Sequence, residues 1–205
     1  MITLNGSTHR QFAFPDTLAA ATRYYRNFDA IFDFLPHISL VQKYGPNTFR
    51  ALYHTIELGV YRVKIYCDLH LHYDEASQTL TAMPWTGLAP VKQSVSVQAL
   101  VAQGQFSSRS VFTAHGDETQ IDYRLELKAA LPKPFGLSLV PDAVMNQITH
   151  SIADWRIHEI AGGFIDRSIA AYQTHPARRE SCLAGLPRPV ALAPADLQID
   201  RHRSK

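Results

Sequence analysis

From Tyr61 to Tyr73 every second residue is apolar (Tyr61, Val63, Ile65, Cys67, Leu69, Leu71, Tyr73), while Arg62, Lys64, Tyr66, Asp68, His70 and His72 between them are mostly polar or charged. A strict period of two excludes an amphipathic helix, whose apolar positions recur at three and four. It predicts a strand with one buried and one wet face, long enough to bend around something. A second run repeats the pattern: Thr119, Ile121, Tyr123, Leu125, Leu127 and Ala129 alternate with Gln120, Asp122, Arg124, Glu126 and Lys128. These two half-buried strands call for a sheet whose apolar face something else must cover.

Weaker strands surround them. Val101 to Ala114 leads into the second run through His115-Gly116-Asp117-Glu118, a hairpin turn. Asp74 to Ser77 turns the first run back into Gln78 to Met83. Leu52, His54, Ile56 and Leu58, then Gly59, predict one more hairpin before Tyr61, and a short strand spans His9 to Phe14. Tight turns between consecutive strands predict an antiparallel meander, because parallel pairing needs a crossover of about a dozen residues.

The helical signals lie outside this block. Pro15-Asp16-Thr17 supplies capping residues before Leu18 to Tyr25. Phe28, Ile31, Phe32 and Leu35 then follow helical spacing until Pro36. Pro141 and Asp142 open a long helix predicted as far as about Tyr172. Val144, Ile148, Ile152, Trp155, Ile160 and Phe164 form its apolar arc, with His150, Asp154 and His158 opposite. Gly162 and Gly163 each cost about 1 kcal/mol in a helix interior, so a kink or a space beneath the helix is expected there. Residues 1–175 therefore read as one α+β domain, and 176–205 as a tail containing proline and arginine, extended or partly disordered.

Composition removes several classes. At 205 residues with 46% hydrophobic and 19% charged side chains, the chain has the balance of a single soluble domain. No stretch approaches the roughly 18 uncharged apolar residues of a membrane span, so membrane contact is expected to be peripheral at most. A net charge of +2 without a basic stripe argues against nucleic acid. The first ten residues lack the pattern of a secretory signal, and Cys67 and Cys182 form no framework, so a reduced, cytoplasmic setting is expected.

The long C-terminal helix, about 45 Å at 1.5 Å per residue, is the one element of sufficient length to cover the apolar face of a curved sheet. This order of elements resembles the START-like or Bet v 1-like (SRPBCC) superfamily, whose helix-grip fold wraps a curved antiparallel sheet and two short N-terminal helices around a long C-terminal helix. The resemblance covers roughly residues 8–173. It rests on Phe12-Ala13-Phe14-Pro15 entering the first helix, Leu35-Pro36-His37-Ile38 closing the second, and the terminal helix from Pro141. More closely, Tyr25-Arg26-Asn27-Phe28-Asp29, Phe34-Leu35-Pro36-His37-Ile38 and Trp155-Arg156-Ile157 look like a branch found in cyanobacteria and plastid-bearing organisms.

The resemblance implies a cavity between sheet and helix for a hydrophobic small molecule: a lipid, isoprenoid or pigment. Its expected apolar lining is Ile65, Leu69, Phe106, Phe112 and Leu125 from the sheet with Ile160 and Phe164 from the helix. Polar candidates on the same faces are His54, Tyr61, Tyr123, Arg156 and Glu159. Tyrosine hydroxyls facing inward need partners. Arg156 and Glu159 stand three residues apart with opposite charges; either they pair with each other, or one of them fixes the polar end of a ligand. The leading expectation is binding without turnover. The alternatives are a cofactor-free enzyme of the polyketide cyclase type, with cavity Tyr, His and Arg groups as acid, base and stabiliser, and an assembly factor with a filled core.

Other chemistry finds no support in the motifs. His70 and His72 sit on the wet strand face, and His158-Glu159 lacks a second histidine at Gly162, so no metal is expected. No nucleophile elbow or phosphate-cradling loop occurs, and no cofactor is expected. Cys67 points inward and reads as a small buried hydrophobe.

Overall fold

The computed structural model describes residues 2–57, 61–132 and 140–174. The expected tail at 176–205, Cys182, and the Leu58-Gly59 end of the predicted hairpin lie outside them. In chain order the elements are β1 (Ile2–Phe14), α1 (Leu18–Tyr25), α2 (Phe28–Ile31) with a 3-10 turn (Phe32–Phe34), β2 (Ile38–Lys43), β3 (Thr48–Glu57), β4 (Tyr61–Asp74), β5 (Thr79–Pro84), β6 (Ser94–Val95), β7 (Ala99–His115), β8 (Glu118–Leu131) and α3 (Asp142–Thr174). The eight strands form one sheet in the order β1-β8-β7-β5-β4-β3-β2, with β6 laid on β7. α3 packs across the inner face, chiefly against β1.

Alternation works where the sequence is clearest. In β4, Val63, Ile65, Cys67, Leu69 and Leu71 are buried, and in β8 Ile121, Tyr123, Leu125, Leu127, Ala129 and Leu131 are buried. The β7–β8 hairpin turns through Gly116 at φ 62°, the positive dihedral that glycine tolerates at the first position of a two-residue loop.

Three expectations are corrected. β1 begins at Ile2, because Ile2, Leu4, Gly6 and Thr8 continue the inward set toward Phe14. The sheet is not purely antiparallel: β5 stops at Pro84, and β7 then runs parallel to β4 from Arg62↔Ala99 to Cys67↔Gly104. Residues 85–98 supply the crossover that parallel pairing requires. Asp68 is not wet: it is buried, the Trp85 backbone N–H donates to its backbone carbonyl, and Arg50, itself bonded to the Ala89 carbonyl, clamps its carboxylate through Nε at 2.6 Å and Nη2 at 2.8 Å.

α3 runs unbroken through Gly162-Gly163, about 50 Å in all. Neither a kink nor an empty space accompanies Gly163; a Cβ there would stand 2.5 Å from Pro36 Cγ, so the glycine lets the turn after the 3-10 segment press on the helix. Gly6 does the same for β1, where a Cβ would lie 3.2 Å from the Ala153 carbonyl oxygen. Next to Gly163, Gly162 faces open space.

The C-terminal end of α3 is closed by aromatic rings. Phe14 and Tyr172 pack as tilted rings with centroids 4.5 Å apart, and Tyr24 meets both at 5.5 and 5.0 Å. Their hydroxyls are bonded as well: Tyr24 donates to the Ser168 carbonyl at 2.8 Å, Tyr172 donates to Asp16 Oδ2 at 2.7 Å, and Tyr25 shares a 3.0 Å bond with Ser168 Oγ. Edge contacts among these rings add to their burial.

Candidate functional site

At the opposite end, the described residues of sheet and helix leave a space between them. Strand β1 contributes Ile2 and Leu4, β8 Leu131, β4 Tyr61 and Val63, and α3 Met145 and Ala153, to an apolar chamber of about 100 Å³. Two further spaces lie along the interface. One of about 20 Å³ lies beyond Tyr53 and Leu127, side chains that wall both it and the first chamber. The other, of about 60 Å³, is separated from the second by Phe32, Leu35, Leu69 and Phe106. Even together they fall short of the roughly 300–1,000 Å³ of a typical small-molecule pocket. Among the described residues, the interior holds a partitioned row of voids.

The first chamber carries the polar groups. Arg156 enters it from α3 and is held on two sides, Nε donating to Glu57 Oε1 at 2.9 Å and Nη1 to Glu159 Oε2 at 2.7 Å. Trp155 lies over the guanidinium, its ring centroid 4.2 Å from Cζ. Burial would lower the Arg156 pKa, but the bonds to Glu57 and Glu159 outweigh it and raise the value above the ordinary one. Burial also pushes Glu159 upward, and its bonds to Arg156 and to His37 Nε2 (3.2 Å) more than offset that, holding the carboxyl below the usual range. The Tyr53 hydroxyl reaches Glu57 Oε1 at 3.5 Å.

Tyr61 differs from all of these. Its hydroxyl is the one buried side-chain polar atom among the described residues that has no hydrogen-bond partner. Burial raises the phenol pKa, so the group stays neutral and able both to donate and to accept. Most buried polar groups are bonded, and one left open toward a chamber calls for an explanation.

The expected site residues separate into distinct places. Tyr61 and Arg156 line the first chamber; Leu69, Phe106, Leu125 and Ile160 line the second; Tyr123 and Phe164 reach the third, their rings tilted with centroids 5.4 Å apart. Glu159 stands at the rim beside His37, so the internal pairing with Arg156 is what the fold contains. Ile65 is fully buried beneath Gly104, and Phe112 packs on Tyr25; neither lines any of these three spaces. His54 is exposed on the outer face, because β3 buries Phe49, Ala51, Tyr53 and Thr55 and turns Leu52, His54 and Ile56 outward. The arc expected on α3 is corrected too: Val144, Ile148 and Trp155 are exposed, and the buried stripe runs through Met145, Ala153, Ile157, Ile160 and Phe164.

Glu57, Tyr53 and Met145 were not among the sequence candidates. Glu57 belongs to the site only because α3 brings Arg156 to it, which no local pattern reveals. Met145 follows from the helix phase once Ile157 and Ile160 are placed. As for nucleophiles, burial and then the neighbouring Asp68 charge push the Cys67 thiol up to about 12, which keeps it protonated near neutral pH.

A curved sheet gripping one long C-terminal helix, with two short helices near the start, is the helix-grip fold of START-like and Bet v 1-like proteins. Two solved structures with TM-scores of 0.51 and 0.50 share this fold. The Zhui aromatase/cyclase from Streptomyces sp. R1128 matches with a TM-score of 0.51 at 10% identity, covering 88% of this chain and 98% of that one. A conserved protein from Geobacillus kaustophilus matches with a TM-score of 0.50 at 10% identity, over 83% and 96% of the two chains. A START superfamily protein from Mycobacterium smegmatis aligns at 13% identity over 76% and 97%, with a TM-score of 0.39. No family model matches the chain, and no curated protein matches it by sequence. Among the described residues, no helix is long and apolar enough to cross a membrane.

Proposed function

We propose that the protein binds and carries a hydrophobic small molecule, of the lipid, isoprenoid or pigment kind, between the sheet and α3. The molecule enters at the Tyr61 end, and the three voids join as it loads. The carrying observation is the first chamber, apolar on nearly every wall and furnished with one buried hydroxyl that nothing among the described residues satisfies. A ligand larger than the chamber displaces Tyr53 and Leu127 first, then Phe106, and such rotamer changes are inexpensive beside the apolar area a ligand buries. The partitions thus act as the empty state's substitute for cargo.

The cyclase-type alternative requires histidine, tyrosine and arginine converging on one cavity. Here His54 faces outward and Arg156 is occupied by two carboxylates. Native mass spectrometry of protein purified from its own source, followed by solvent extraction, tests the carrier reading. It expects a stoichiometric apolar passenger, or uptake of one from a supplied lipid extract. Protein that retains none and takes up none overturns the reading, and passenger recovered in chemically converted form would favour the enzyme.

A further inference from the structure

Resting on that carrier reading, we infer that the first chamber selects neutral apolar molecules bearing a hydrogen-bonding oxygen and discriminates against carboxylates and other anions of the same chain length. An arginine on a chamber wall ordinarily invites an anion. This one is already matched. Two carboxylates meet the single guanidinium, at 2.9 and 2.7 Å, and the Trp155 ring covers its face. Glu57, one of the two, itself lines the chamber. An incoming carboxylate would bring a third negative charge to one guanidinium and stand beside Glu57 at low effective dielectric.

The Tyr61 hydroxyl asks for the opposite kind of partner. It has no bond to surrender, and it can donate to a carbonyl or accept from an alcohol. A ligand oxygen at that point restores what the hydroxyl lost on leaving water, whereas a pure hydrocarbon leaves it unsatisfied. The two features therefore act together, Glu57 repelling charge and Tyr61 rewarding neutral polarity.

Calorimetric titration of the full chain at neutral pH with octanol, methyl octanoate and octanoate decides this. Octanol and methyl octanoate should each bind at least about ten-fold more tightly than octanoate. Tyr61→Phe should weaken octanol binding about five-fold with thermal unfolding unchanged, since no intramolecular bond is removed. Glu57→Gln, which keeps an acceptor for Arg156, should narrow the gap between octanol and octanoate. Octanoate binding as well as octanol to the unmodified protein, or Tyr61→Phe binding octanol undiminished, overturns the selectivity while leaving the carrier reading standing. Binding by none of the three probes overturns the carrier reading and the selectivity with it.

Discussion

The two ends of the sheet–helix interface are both apolar yet built to opposite effect. At one end, Phe14, Tyr24 and Tyr172 fill the space and the hydroxyls of Tyr24, Tyr25 and Tyr172 are all bonded. At the other, aliphatic side chains leave a chamber of about 100 Å³, Tyr61 keeps an unsatisfied hydroxyl, and Ile148 on α3 is 41% exposed. Both ends are apolar, so hydrophobicity does not distinguish them. What does is whether polar atoms are accounted for: the aromatic end contributes stability and the Tyr61 end forgoes some of it to keep room.

The largest effect should come from the closed end. Phe14→Ala removes a fully buried ring and should cost about 3–5 kcal/mol in urea unfolding, while Ile148→Ala at the open end should cost under about 1 kcal/mol. Comparable losses would erase the contrast between the ends. Between them, the two adjacent glycines of α3 should respond with opposite signs. Gly162→Ala, facing open space, should stabilise by about 1 kcal/mol, whereas Gly163→Ala, driven against Pro36, should destabilise by about 1–3 kcal/mol. Chemical denaturation of both variants checks this, and equal effects would mean that Pro36 yields freely. A subtler pair deletes the same atom at each end. Tyr25→Phe breaks the bond to Ser168 and should lose about 1 kcal/mol, but Tyr61→Phe should leave stability unchanged or slightly raised.

The smallest effect is electrostatic. Because Glu159 is held below the usual carboxylate range, its bonds stabilise the fold above that range and are lost as pH falls through it, around 4 and lower. Glu159→Gln should therefore flatten the acid limb of a Tm–pH curve slightly, the group being about one-third exposed. An unaltered acid limb would remove Glu159 from the open end's stability.

The sequence reveals strand phase where one face is plainly polar and conceals it where both are apolar. In β4 and β8 charged residues mark the outer face, and burial follows the alternation. In β3, Leu52 and Ile56 compete with Phe49 and Tyr53; the larger aromatic side chains take the inside, and His54 goes outward with the losing set. The same ambiguity shifts the first half of α3, where Val144, Ile148 and Trp155 offer a stripe as apolar as Met145, Ala153 and Ile157. Gly6 and Thr8 disguise the start of β1 because neither looks like a core residue, although close contact with Ala153 requires the glycine. Of the site itself, Tyr61 and Arg156 were legible as inward polar groups. The neutralising role of Glu57 was not, since it depends on a contact between β3 and α3 that only the fold creates.

Mapping octanol-induced amide shifts across the folded chain by NMR addresses the central claim most directly. Shifts centred on Tyr61, Leu131, Met145 and Ala153, spreading toward Tyr53 and Leu127 at higher concentration, are the predicted result. Shifts centred on Phe14, Tyr24 and Tyr172, or none at saturation, would contradict it.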